Sequence, residues 1–403
     1  MADGSAGPRP GPTGPADCFD RSLLVHCGPS QIAEAATVAD QPGSGLVITA
    51  AADRRRTCLD QARRLVRSGR FPRPLLLDAG RYTGVRRCDA RTPFSDWWID
   101  SQRELGLPVL TDSGYVAAGD AAGLWHLLQA TARLGDAIAL LPLHISWLTR
   151  TDARRTLTRY VALAGVPVAL VLEHPADPFA EPGAVEGLLE VLDCGVPVLL
   201  LRCDISALGA LCCGATAAAV GTVPALRHLY PVPPVSGPAP RVGRPSAIVG
   251  RCLAYRRTDV IARTQALFPE AGLWTCDCET CDGRDLSWID RQPQHRRSLL
   301  AFRHSLRVLF DLRDGIFRSN LPNSRLSWYS RCRDAIWRHA DVRWPVPGML
   351  RRWEAALPAL PVTRLERLDR QRPIALPADR PLPVALPPVP AAADHPAGGP
   401  GRE

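Results

Sequence analysis

Pro167-Val168-Ala169-Leu170-Val171-Leu172-Glu173-His174 carries the pattern on which the fold rests. A short, nearly continuous apolar run ends abruptly in polar residues. Without period-2 alternation, such a run suits a strand buried on both faces in a parallel sheet. Pro197–Leu201 repeats the signal. Working outward, it recurs at Leu23–Cys27, Leu46–Ala50, Pro74–Leu77, Pro108–Leu110, Ala137–Leu143 and Ala217–Gly221. Most segments between the runs have helical spacing, as in Gly123–Leu134 and Ala184–Leu192. The alternation over residues 21–229 predicts an α/β chain built as a (β/α)8 TIM-type barrel. A doubly wound sheet is the alternative.

Barrels of this kind carry their chemistry at the carboxyl ends of the strands. The polar residues there are Asp78, Asp112, His144, Glu173 with His174, and Asp204, and the eighth run ends without a carboxylate. Outside the barrel, residues 1–20 read as a disordered Gly/Pro/Ala tail, 230–244 as a Pro-rich linker, and 245–360 as a second, arginine-rich lobe. Residues 361–403 read as a Pro-rich disordered tail.

The composition narrows the chemistry. The chain has 403 residues and a formal charge of +9, and its basic residues are all arginine, with no lysine. That excludes a lysine Schiff base, a lysine general base and a phosphate-loop GK[ST]. No apolar run approaches the roughly 20 residues of a membrane span, and the N-terminus lacks a secretion pattern, so a cytoplasmic protein without membrane attachment is expected. Thirteen cysteines in such a setting argue for free thiols and metal ligation over disulfides.

Cys276-Asp277-Cys278-Glu279-Thr280-Cys281 puts three thiols on one loop, with His304 downstream. The acidic residues between the thiols demand solvent, so the three cannot all be core cysteines. Three thiolates plus one imidazole make a closed, structural Zn2+ site. His304 lies in Arg297–Ile316, where Phe302, Leu306 and Leu309 form one apolar stripe and Leu300, His304 and Val308 an opposed one. A helix apolar on two sides is sandwiched, so His304 can reach the loop. His295, in a turn-like segment, is the rival ligand. Further on, Arg291–Arg352 interleaves arginines with Trp328, Tyr329, Trp337, Trp344 and Trp353. Forked guanidinium groups and aromatic faces suit phosphates and unstacked bases, although a solvated helical face has the same composition.

The Cys-x-Cys-x2-Cys loop with its helical histidine resembles the zinc subdomain of tRNA-guanine transglycosylases. Thr111-Asp112-Ser113-Gly114 is similar to that family's Thr-Asp-Ser-Gly-Gly-Phe-Gln segment. The likeness spans roughly residues 105–315, and the lysine-free composition resembles the DNA 7-deazaguanine transglycosylase paralogues. The resemblance implies exchange of guanine for a 7-deazaguanine base in nucleic acid, DNA slightly favoured over tRNA. It implies Asp112 as general acid/base, with Ser113 and Gly114 shaping the base pocket. This chain departs from the family at Tyr115-Val116-Ala117 and at Pro142-Leu143-His144-Ile145, where His144 replaces a base-reading aspartate. The family's nucleophile segment has no counterpart, and Asp204, then Asp78, are the candidate replacements. A partner protein or a homodimer is a further expectation. Two other classes stand beside this one: a non-catalytic nucleic-acid-binding paralogue, and an unrelated barrel metal-dependent hydrolase using Asp78, His144 and His174.

Overall fold

The computed structural model describes residues 14–50, 54–232, 245–317 and 320–359. Most of both expected tails and of the Pro-rich linker lies outside these. Eight strands follow one another along the chain: β1 Ser22–Cys27, β2 Ser44–Thr49, β3 Leu75–Asp78, β4 Val109–Leu110, β5 Ala137–His144, β6 Val168–Glu173, β7 Val198–Cys203 and β8 Ala217–Gly221. All pair in parallel in the order β3-β2-β1-β8-β7-β6-β5-β4. The sheet curls into a nearly closed barrel whose seam lies between β3 and β4. The helices between the strands are α1 Ile32–Ala39, α2 Arg55–Ser68, α3 Asp96–Glu104, α4 Ala121–Leu134, the short α5 Ser146–Thr149, α6 Thr151–Ala164, α7 Ala184–Leu192 and α8 Ser206–Cys212. The (β/α)8 expectation holds and the doubly wound alternative falls away.

The barrel is solid. Leu24, Val47, Leu76, Leu110, Leu140 and Leu199 point inward against the small Ala169, Ala217 and Ala219, so large and small side chains fill one another's space. One departure from the sequence expectation concerns its amino-terminal end. Residues 14–20, assigned to the tail, instead enter this inner cluster, where Ala16 and Phe19 are fully buried. A lone Phe in a Gly/Pro/Ala background has no period to betray it. At the opposite end, the chain leaving β8 turns back across β6. Leu229 N–H donates to Leu172 O (2.9 Å), His174 N–H donates to Leu229 O (2.9 Å), and Leu229 joins the inner cluster.

The C-terminal lobe holds β9 Ser246–Val249, β10 Ala254–Arg257, α9 Thr258–Leu267, the small hairpin β11 Thr275–Cys276 and β12 Arg284–Asp285, α10 Ser287–Asp290, α11 Gln294–Ile316, α12 Leu321–Asp341 and α13 Gly348–Ala356. Among the described residues no barrel helix follows β8. Instead α11 packs on α1 and β1, and α12 packs on α8, so the lobe fills the wall position where an eighth helix would stand. Barrel and lobe share one continuous outer core. Helix α11 begins earlier than its apolar spacing suggested, because Pro293 caps it, and His295 sits exposed in its first turn rather than in a separate turn. Among the described residues no helix is long and apolar enough to cross a membrane, and all thirteen cysteines are free.

The barrel–lobe contact at α8 is close-packed. A Cβ on Gly209 would lie 2.7 Å from Trp328 Nε1 and 2.7 Å from the Trp353 ring. Both tryptophans are fully buried and meet edge to face, with ring centroids 6.2 Å apart. Rings of this size bury about 150–250 Å² each, so the junction has no slack for a side chain. Gly209→Val is expected to lower the urea midpoint by the equivalent of about 2 kcal/mol with an unchanged denaturant slope.

Candidate functional site

The three thiols of the Cys276–Cys281 loop and His304 converge. Their ligand atoms all lie within 4.8 Å of one another. His304 Nδ1 stands 3.6, 3.5 and 3.2 Å from Sγ of Cys276, Cys278 and Cys281. Tetrahedral zinc with bonds of about 2.3 Å to sulfur and about 2.0 Å to nitrogen requires a separation of about 3.6 Å. The loop is shaped by its own backbone: Cys281 and Asp282 N–H both donate to Cys278 O (2.9 Å each), and Gly283 N–H donates to Cys276 O (3.1 Å). His304 is buried and donates Nε2–H to Ile248 O of β9 (2.8 Å), which leaves Nδ1 free to ligate. The cluster could hold a metal ion, and its donors suit zinc. The predicted ligands are the ones brought together; His295 is not among them.

The barrel mouth is a layer of ion pairs. Asp78, fully buried at the end of β3, accepts from Thr49 Oγ1 (3.0 Å), Gly80 N–H (2.9 Å) and Tyr82 Oη (2.6 Å). Arg202 Nη2 of β7 lies 3.5 Å away. His26 of β1 bonds to Thr49 through Nε2 and accepts from Arg202 N–H at Nδ1 (3.2 Å). Burial alone would push the Asp78 carboxyl up, but hydrogen bonding with His26 and the Arg202 charge hold it far below the ordinary range. Arg202 reaches this position because β7 bulges: its register shifts between Leu200 and Cys203, and Arg202 takes φ 47°.

Asp112, one step past β4, is equally enclosed. Its Oδ2 receives Arg81 Nη1 at 2.7 Å and has Arg55 Nη1 at 3.7 Å, while Oδ1 accepts from Ser95 N–H (3.0 Å). Ser113 is buried and its Oγ pairs with Thr111 Oγ1 at 2.8 Å. Gly114 abuts the β3–α3 loop so closely that a Cβ would fall 2.0 Å from Asp89 O. Across the mouth, Glu173 pairs with Arg87 and accepts from Tyr115 Oη, and the Arg87 guanidinium stacks 3.6 Å above the Tyr115 ring. His144 Nδ1 bonds Ser146 (2.8 Å) and His174 Nε2 bonds Glu181 (3.0 Å). With Asp78 bonded elsewhere, the three proposed hydrolase residues make no ligand set.

Asp204 stands apart from these pairs. It lines a cavity of about 280 Å³ between the loops after β6, β7 and β8 and the lobe, together with Asp177, Arg227, His228, Tyr230 and Tyr255. Burial, then the nearby Asp204 charge, pushes the Asp177 carboxyl to about 8, and burial raises Asp204 as well. His228 is lowered to about 4, by burial first and then by the charges of His174 and Arg227. Asp177 escaped the sequence reading because it lies beyond the strand end, in a loop whose only signal is Asp-Pro. In the lobe, Trp328 and Trp353 are buried, Trp344 packs on Trp274, and Trp337 is exposed. Many of the arginines there are already in ion pairs, such as Arg297 with Asp290, Arg303 with Glu34 and Arg307 with Glu279.

Comparison of the chain with models of known families, with curated proteins and with solved structures finds no match.

Three outcomes follow from these geometries. The purified chain should carry one metal equivalent by elemental analysis, and Cys278→Ser should lose it together with part of the thermal stability. Asp78→Asn should cost about 3–5 kcal/mol in denaturant unfolding, because Arg202 is left buried against a neutral partner. Asp177→Asn should do the opposite. Its raised carboxyl binds a proton in the native state that the unfolded chain releases, so that contribution to stability is lost as pH rises from about 4 towards about 8. The variant should therefore melt higher than the parent above about pH 8, by on the order of 2 °C, with the difference shrinking in acid.

Proposed function

We propose that this chain is a nucleic-acid guanine transglycosylase that exchanges guanine for a 7-deazaguanine base, DNA slightly favoured over tRNA, with a structural zinc in its lobe. The observation that carries the reading is that both segments of the resemblance sit on one (β/α)8 barrel. Thr111–Gly114 runs on from β4 at its carboxyl end, and the Cys3His cluster sits in the helical lobe packed on the barrel wall.

Base exchange needs an anionic carboxylate facing the anomeric carbon and a group that moves a proton at the departing base. When the carboxylate bonds to the anomeric carbon, the sugar–base bond breaks and the guanine leaves with the bonding pair and takes up a proton. The incoming base then displaces the carboxylate and returns a proton to the same acid. Burial raises the Asp204 carboxyl above its ordinary range beside a cavity, which supports it in the proton-moving role rather than as the nucleophile. Asp112 and Asp78 sit in ion pairs with Arg81 and Arg202, and an arginine that moved onto a substrate phosphate would release either carboxylate to the sugar. Zinc, where bound, supplies structural bracing: Cys276, Cys278, Cys281 and His304 would hold it and leave no open position for substrate.

A second reading, a non-catalytic nucleic-acid-binding paralogue, is favoured by the enclosure of Asp78 and Asp112 at 0% and 1% exposure and by the absence of a carboxylate on β8. Labelled guanine or 7-deazaguanine should enter duplex DNA or tRNA in the presence of the metal-replete protein. Asp112→Asn should slow incorporation by at least ~10²-fold while leaving salt-sensitive binding in place. Binding to either polymer without any incorporation would decide for the paralogue.

A further inference from the structure

The cavity beside Asp204 gathers two carboxyls and two guanidinium groups, and the Arg227 charge reaches Asp204. Asp177 accepts from Phe179 N–H (2.9 Å) and Asp204 from Ser206 N–H (3.2 Å), and neither carboxyl has an ion-pair partner among the described residues. The two guanidinium groups in the cavity wall are engaged elsewhere. Arg227 donates to Gly221 O (3.4 Å) and lies 3.4 Å over the Tyr255 ring, and Arg256 donates to Tyr255 O (3.0 Å) and Pro345 O (3.1 Å). A second observation is independent of the carboxyls. His228 lines the same cavity at 9% exposure, and its Nε2 is buried with no hydrogen-bond partner. A buried polar atom left without a partner is destabilising, and a ligand donor would satisfy it.

We infer that this cavity binds a small organic cation with a planar, amidinium- or guanidinium-type head, held by the Asp177 and Asp204 carboxyls and by His228 Nε2. Its volume of about 280 Å³ lies just below the ~300–1,000 Å³ of drug-sized pockets, which fits a compact head. Tyr230, Tyr255, Leu253 and Met349 also line the cavity. Such a head offers N–H donors alone, matching acceptors that are now unmatched, and its charge replaces the proton the carboxyl pair holds. Binding therefore exchanges one cation for one proton, with His174, Cys203, Arg227, His228, Tyr230, Tyr255 and Arg256 as the other titratable groups around the pair. The inference stands without base exchange, because it concerns binding alone.

Isothermal titration of the full chain at about pH 7 with benzamidine, in two buffers of different ionisation enthalpy, tests it. The expected result is a Kd on the order of 1 mM or tighter with about one proton released per benzamidine. The neutral isostere benzamide should bind at least tenfold more weakly. Asp177→Asn and Asp204→Asn should each weaken benzamidine at least tenfold while keeping a cooperative thermal transition. Absence of benzamidine binding, equal affinity for benzamide, or unchanged affinity in both variants would overturn the site. Labelled-base incorporation is read separately, so either idea can fail without the other.

Discussion

A carboxylate at the inner end of a barrel strand is stable only if a positive charge reaches it, since several kcal/mol of hydration are lost on burial. Without lysine, this chain meets that requirement with arginine throughout. Arg202 serves Asp78, Arg81 serves Asp112 and Arg87 serves Glu173. The guanidinium fork can bind a carboxylate and lie on a ring at once, and Arg87 does so with Glu173 and Tyr115. The remaining architecture of the mouth follows from these pairs. The bulge in β7 exists where Arg202 must turn, and the β3–α3 loop is held against β4 by Arg81. Among the described residues Asp177 and Asp204 have no ion-pair partner, and burial pushes both carboxyls towards the neutral form.

Much of this was legible in the chain itself. Strands buried on both faces appear as unbroken apolar runs, so the eight-fold alternation and the carboxyl-end positions of Asp78, Asp112 and Asp204 could be read directly. The Cys loop was legible because acidic residues between thiols exclude a core role, and His304 because its helix is apolar on two sides. What could not be read depends on contacts between distant segments. Nothing local marks Arg202 as the residue that takes a left-handed backbone to reach β3, nor Phe19 as a plug, nor Asp177 as a neighbour of Asp204. The arginine–tryptophan stretch carried the opposite lesson. Its composition suits nucleic acid, yet Trp328 and Trp353 are core residues whose partner is the barrel.

The lobe is part of the barrel's wall. Its metal-ligand cluster ties together the Cys loop, α11 through His304, and β9 through the Ile248 carbonyl. Helix α11 in turn rests on α1 and β1. Order at the cluster is therefore transmitted to the first strand of the barrel through packed helices.

This arrangement has a consequence during synthesis. The eighth strand ends at Gly221, but the wall beside it is completed by α12, which ends at Asp341. At about 5–20 residues per second, the ribosome needs on the order of 10 s to supply the missing helices. Through that interval the nascent barrel presents an uncovered apolar strip between α1 and α8. The order of the segments along the chain thus makes the emerging protein a client for whatever holds apolar surface apart, until its last third arrives.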